Sequence, residues 1–547
     1  MRSCLAFVAT IGLSLGAVPY RGGPVFPQTY TASGYILLPY CELREPFTAY
    51  YDAESGQSRI DYYEGEMKTF TGPAGTFKVV WSPNEKTHIP EEQCYTAGPA
   101  LAQPVLPDLS GFTFIRTEPC ETESTALVKP FLKGADRCYR YEKADKKFDR
   151  TSKYTFWAML DDDNNAIPIR YIMMGYDSLL GSHFDKYEIL YTDYTPGSVD
   201  GDVFDVKSVT DKQCIDFPSP PGVSSGHLFN PIGQYMTGEE SHVDEHFDLF
   251  KKTHNKEYAH QREETIRKDN FRNNQRFVDS MNRRNLSYAL KLNHRSDWNQ
   301  EEFRLLRGRL PPTVQKSQGK AFPKERFKLR PIPEYVDWRL EGAVTPVKDQ
   351  AICGSCWSFG TVGHIEGAYF LKYGELVRFS EQQLVDCSWN YGNDACDGGL
   401  DFVAYDYIKK YGLSSDSQYG SYRGIDGKCK DLQIKEKPIR TLKGYTNVTN
   451  VDDLRKAIAF IGPISVAIDA SRPSLSFYSH GVYKDPECSS TSLDHAVLAV
   501  GYGTLRGEPY WLIKNSWSTY WGNDGYILIS QTNNMCGVAS QATYVEL

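Results

Sequence analysis

The chain has 547 residues, of which 24% are charged and 40% hydrophobic, and a formal net charge of −8 at pH 7. That length exceeds one ordinary core and points to about three domains, while the mixed composition reads as globular. Charge is unevenly spread, with residues 1–240 summing to −11, 241–330 to +9 and 331–547 to −6. One basic block between two acidic ones is not the footprint of a nucleic-acid-binding protein. It reads as a segment that docks on an acidic neighbour, or as a solvated helical face.

In chain order, Met1-Arg2-Ser3, an apolar run from Cys4 to Leu15 and small residues at Gly16 and Ala17 predict a signal peptide over 1–17. The run is too short to span a bilayer, and no later stretch is long and apolar enough. The mature chain is therefore expected in the secretory pathway, lysosomal or extracellular. The thirteen cysteines agree with an oxidising compartment. Five lie between Cys41 and Cys214. Seven lie beyond residue 350, which suits three disulfides plus one reactive thiol.

Residues 18–215 read as an antiparallel β-rich domain. Phe47–Tyr51 and Arg59–Tyr63 flank a turn that contains Gly56, and Tyr154–Trp157 leads through an acidic turn at Asp161–Asn165 into Ile167–Met174; both patterns predict hairpins. No catalytic constellation stands out there, so a binding or targeting role is expected. The Pro-, Gly- and Ser-rich stretch within 216–240 predicts an exposed linker. From about His242 the pattern turns helical. Glu263, Arg267, Phe271, Asn274, Val278 and Asn282 advance by three or four and so share one face.

The most informative stretch is Gln350-Ala-Ile-Cys-Gly-Ser-Cys-Trp357. Amide hydrolysis needs a nucleophile better than water and a proton donor for the leaving amine. A thiolate at Cys356 supplies the first, if a neighbouring imidazolium and a helix N-terminus lower its pKa. His495 lies 139 residues on and Asn515 a further 20. His495 would pair with Cys356 and protonate the leaving nitrogen, with Asn515 orienting the ring. Gln350 and the Cys356 N–H would bind the oxyanion.

Cys-Gly-Ser-Cys-Trp, with its distant His and Asn, resembles papain-like cysteine proteases. The face beginning at Glu263 resembles the prosegment of cathepsin L-like members, with Val278 where isoleucine is usual. A second prosegment motif is half kept: Asn293 and Asp297 fit, but Lys291 and Arg295 replace glycine and phenylalanine. Ile332–Arg339 resembles a mature N-terminus. The whole layout resembles the insect cysteine proteinases named for their 26 and 29 kDa chains.

The resemblance implies an α+β fold: a β-rich domain over 18–215, a linker over 216–240, a helical inhibitory prosegment over 241–331, and a papain-like two-lobed peptidase over 332–547, one lobe helical and the other β-barrel-like. It implies the disulfides Cys353–Cys396, Cys387–Cys429 and Cys488–Cys536. It implies a cleft in which Gly398 and Gly399 receive a peptide strand, Trp521 lines the leaving-group side, and Trp517 shields the His–Asn pair. The main specificity pocket would hold Leu400, Asp401, Ala467, Ala496 and Gln541. Asp401 and Gln541 replace apolar residues, so this pocket is expected to be more polar and to tolerate basic residues weakly. Ser518 and Tyr520 replace glycines.

No cofactor or metal is expected. Expected partners are protein or peptide substrates, the prosegment as internal inhibitor and cystatin-like inhibitors, with the N-terminal domain staying associated and no nucleic acid or membrane span. Asn285 and Asn447 head glycosylation sequons. The alternatives are an idle binding protein working through its N-terminal domain, and a Cys-His acyltransferase.

Overall fold

The computed structural model describes residues 24–120, 137–160, 165–218, 225–311 and 318–547. The expected signal peptide and most of the acidic turn at 161–165 lie outside the described residues. The chain divides into two compact units, 1–79 with 94–245 and 80–93 with 246–547. Among the described residues, no helix is long and apolar enough to cross a membrane.

The first unit is built on a twelve-stranded sheet, in which Thr29–Leu38 lies between Leu43–Asp52 and Ser182–Pro196. Both neighbours pair antiparallel. Thr29–Leu38 alternates between half-buried and buried positions along its full length, which is the period of two of a strand with one face on a core. Aromatic side chains fill that core: Phe47 meets Tyr191 edge-on, and Phe156 lies against Tyr171. The two hairpins expected from turn chemistry are present, Leu43–Asp52 with Gln57–Tyr62 and Arg150–Leu160 with Ala166–Asp177. Disulfides join Cys94 to Cys214 and Cys120 to Cys138.

In the second unit, the helix Cys356–Tyr373 packs against Glu381–Cys387 and Asp401–Tyr411 around a core that includes Trp357, Leu384, Tyr407 and Ile408. Strands form the other lobe, with His495–Leu505 between Glu508–Lys514 and Ile464–Ile468. The preceding segment caps both ends of this sheet. Tyr288–Leu290 pairs antiparallel with Tyr478–Tyr483, and Lys320–Ala321 pairs parallel with Gly444–Val448. These new edge strands are only three and two residues long, and so short an edge is a poor template for further strands.

The long helix of that segment runs Gln261–Met281. Its expected face is fully used. Phe271 packs against Phe247 and Phe250 with its ring tilted to both. Arg267 pairs with Glu302 at 2.7 Å. Asn274 donates to the Ser296 and Trp298 carbonyls at 2.9 and 2.8 Å, and Asn282 exchanges two hydrogen bonds with the Leu290 main chain. The periodicity is thus a scaffold that folds the chain after the helix back along it.

Candidate active site

Cys356 is the first residue of its helix, where unsatisfied N–H groups place partial positive charge. The disulfide Cys353–Cys396 ties the preceding loop to the glycine-bearing loop, and Gly354 N–H donates to the Cys396 carbonyl at 2.9 Å. Cys387–Cys429 and Cys488–Cys536 are the other two disulfides of this unit. His495 opens the strand that runs beside the helix; a Cβ on Gly360 would lie 3.5 Å from that of Ala496.

His495 Nε2 lies 2.8 Å from Asn515 Oδ1. The same oxygen accepts the Ser516 N–H at 2.8 Å, so it is an acceptor and the imidazole proton sits on Nε2. His495 Nδ1 is buried and has no hydrogen-bond partner among the described residues. The Trp517 ring covers His495 at 4.8 Å, and Trp521 meets Trp517 edge-on at 5.2 Å. Gln350 is locked by Ser516, whose hydroxyl donates to Oε1 at 2.7 Å. The Gln350 amide is thereby turned to donate to the Leu306 carbonyl at 2.9 Å and the Cys353 carbonyl at 2.8 Å. Ser516 is a positioning residue that the sequence reading did not single out, although it follows Asn515 directly.

Leu306 belongs to the segment that lies through the cleft. Gly308–Leu310 runs along the glycine pair as an added strand: Gly399 N–H donates to the Gly308 carbonyl at 2.8 Å and Leu310 N–H to the Gly399 carbonyl at 3.1 Å. Only bare backbone fits this approach. A Cβ on Gly308 would lie 1.7 Å from the Gly354 carbonyl oxygen, and one on Gly399 would lie 2.6 Å from Trp357. Arg307 reaches Asp494 at 3.3 Å.

This occupant changes the electrostatics. Cys356 and His495 are fully buried. Burial pushes the thiol up to about 11, against the Ala496 and Gly308 N–H groups and the Arg309 charge. Burial likewise takes the imidazole down to about 4, opposed by the Asn515 hydrogen bond and reinforced by Arg307. At neutral pH the covered pair is therefore neutral thiol and neutral imidazole. Both shifts disfavour the charge-separated pair while the prosegment keeps water from it.

The second motif of the segment docks it. Asn293 donates to the Ser476 carbonyl at 2.9 Å. Asp297 binds Lys256 and the Tyr258 hydroxyl, each at 3.0 Å. Arg295, standing where phenylalanine was expected, reaches the Trp517 carbonyl at 3.1 Å and Asp349 at 2.6 Å. Tyr520 packs edge-on against His254 at 5.1 Å and lies 5.6 Å from His294. Two of the departures from the usual motifs thus meet at this one interface.

The pocket residues Leu400, Asp401, Ala467 and Ala496 are buried, and Gln541 is half-buried. Asp401 is not an open charge. Its carboxylate accepts from Ser465 at 3.2 Å, from Thr543, and from the Phe402 N–H at 3.0 Å. Gln541 supplies the polar contact instead. Of the two sequon asparagines, Asn447 donates its amide nitrogen to the Gly319 carbonyl at 3.2 Å. A glycan there would displace the strand that caps the sheet, whereas Asn285 is exposed.

Behind Asn515 lies a buried charge cluster that the sequence reading missed. Lys348 binds Glu366 at 2.8 Å and also Glu381, while Lys514 donates to the Thr345 carbonyl at 2.7 Å. Burial lowers Lys514 to about 8, opposed by Glu366. These partners are scattered from 345 to 514, so no local pattern announces them.

The papain family cysteine protease pattern matches residues 332–546, and the cathepsin propeptide inhibitor domain pattern matches 247–303. The chain is 42% identical to digestive cysteine proteinase 2 of Homarus americanus, over 54% of this chain and 93% of that protein. It is 44% identical to a cathepsin L-like peptidase of Aedes aegypti, over 55% of this chain and 93% of that one. Among solved structures, digestive procathepsin L 3 of Tenebrio molitor larval midgut superimposes with a TM-score of 0.51 at 37% identity, covering 56% of this chain and 100% of that one. The ragweed pollen allergen Amb a 11 in its proform gives 0.52 at 32% identity, covering 59% and 98%. With prosegment and peptidase both matched over nearly the full length of these proteins, the chain belongs to the papain family of cysteine proteases, as a cathepsin L-like zymogen that carries its own propeptide inhibitor domain.

Proposed function

We propose that this zymogen becomes an endopeptidase in which Cys356 attacks the scissile carbonyl. His495 protonates the leaving amine, Asn515 orients His495, and Gln350 with the Cys356 N–H holds the oxyanion. The observation that carries this reading is the Leu306 carbonyl, which sits 2.9 Å from Gln350 Nε2. The prosegment thereby presents a peptide carbonyl to the donor meant for a substrate oxyanion, while Gly308–Leu310 lies on the glycine pair.

Removal of the prosegment by a cut near Pro331 would rehydrate the pair and restore thiolate and imidazolium. Acid would favour that release where a carboxylate that holds the prosegment loses its charge, as in the pair of Arg295 with Asp349. Asp494, which binds Arg307, works the other way: burial raises it from its ordinary value, and a carboxyl raised in the docked form binds its proton more tightly there. We place the enzyme in the lysosome or outside the cell, with the N-terminal domain retained and cystatin-like proteins as inhibitors in trans. The binding-protein and acyltransferase readings find no support of their own in the site.

The test is acid activation followed by peptide hydrolysis and labelling with the epoxide thiol trap E-64. Turnover and a single adduct on Cys356, both lost in Cys356→Ala, are expected. An active enzyme that keeps its turnover in Cys356→Ala would refute the assignment.

A further inference from the structure

One side chain of the prosegment, Arg309, bonds to Gln541, a residue expected to line the main specificity pocket. Arg309 lies between the two residues that bond to Gly399, and its own N–H donates to the Asp494 carbonyl at 3.0 Å. Only 7% of its surface is exposed. Its guanidinium donates through Nη2 to Gln541 Oε1 at 2.7 Å. Nη1 is buried and has no hydrogen-bond partner among the described residues.

Burying a guanidinium behind a single direct hydrogen bond is costly unless an opposite charge is near. Asp401 is that charge. Only 5% exposed, it is held by Ser465, Thr543 and the Phe402 N–H. Burial lowers Arg309 from its ordinary value, and the field of Asp401 opposes that, although the Asp401 oxygens bond elsewhere. The other residues expected in this pocket, Leu400, Ala467 and Ala496, are buried and apolar and would suit the methylene stem of a long cationic side chain. Apolar residues for a stem, an acceptor for its tip and a carboxylate whose field reaches it make a pocket for a cation.

We infer that this pocket selects substrates carrying arginine or lysine at the position whose side chain enters it, an inference that rests on the peptidase reading above. Arg309 is then a substrate-like plug, and the pocket's chemistry serves both inhibition and specificity.

The activated enzyme would be assayed with peptide libraries fixed in turn at each position before the scissile bond, with active sites titrated by E-64. At one position arginine and lysine should exceed leucine, valine and phenylalanine in kcat/KM. Gln541→Leu should lower the arginine-to-leucine ratio at that position at least ten-fold, and Asp401→Asn should lower it several-fold. A strict leucine or aromatic preference, with the ratio unchanged in both variants, would overturn the inference while leaving proteolysis intact. Absence of any titratable thiol in the wild-type enzyme would overturn the peptidase reading itself.

Because pocket variants can misfold, the intact zymogen gives a second reading. Arg309→Leu should speed acid-dependent labelling of Cys356 at least three-fold, since a neutral plug loses both Gln541 and the field of Asp401. An unchanged or slower rate would count against a basic pocket.

Discussion

At the scale of single residues, the site separates groups that react from groups that aim them. Gln350 has one hydrogen available for an oxyanion only because Ser516 holds its carbonyl end. Gln350→Ala should lower kcat by about 10²–10³ with KM little changed, the usual cost of one oxyanion donor. Ser516→Ala should fall in the same direction by less. Equal kcat in Gln350→Ala and wild type would remove the residue from the oxyanion hole. Ser518 is a different case. It stands where glycine is usual and takes φ 71, a left-handed conformation that costs a residue with a Cβ about 1 kcal/mol. Ser518→Gly should therefore raise the thermal midpoint of the activated enzyme, and a lower midpoint would show that the hydroxyl compensates for the strain.

At the scale of elements, legibility followed the kind of contact. The face from Glu263 to Asn282 could be read because each position acts through its side chain at helical spacing, and the hairpins of the first unit could be read because their turns are local. The neighbour of Thr29–Leu38 in the sheet could not: Ser182–Pro196 lies some 150 residues away, and pairing over such distance leaves no local signal. Likewise the cleft occupant works through the Leu306 carbonyl and the Gly308 main chain, which any sequence possesses. Cys356, His495 and Asn515 were legible because their chemistry admits few substitutes, and Gln350 because it sits in the same short stretch. Asn274 tests the scaffold directly. Its loss in Asn274→Ala would leave two carbonyls without their donor, at about 2 kcal/mol. The zymogen should then leak, reacting with E-64 several-fold faster at neutral pH. A rate equal to that of the wild type would mean that the helix does not hold the blocking segment in place.

At the scale of the whole molecule, the zymogen stores a neutral catalytic pair under a cationic strap, and acid should lift it. His294 carries part of this. Burial takes it down to about 2, with Arg295, Lys256 and His254 adding repulsion. Asp349 lies 3.7 Å from its Nε2 but is already bound by Arg295 at 2.6 Å, so it offers a second cation little relief. A depressed histidine favours the docked state above its ordinary pKa of about 6.5. The docked state then loses ground as pH falls from there toward 2, on the order of 1–3 kcal/mol by pH 4.5. His294→Gln should shift the activation midpoint to lower pH, and an unshifted midpoint would assign the trigger to the Arg295–Asp349 pair instead.

The most direct test of an intact but covered active site is a time course at pH 4.5 that follows two quantities in the same samples: E-64 adduct on Cys356 by mass spectrometry, and new N-termini by sequencing. The adduct should be absent from the intact chain at pH 7 and should rise in step with a new N-terminus near Ile332. Full labelling of the uncut chain at pH 7, or an uncovered N-terminus near Ile332 with Cys356 still unreactive, would contradict the account.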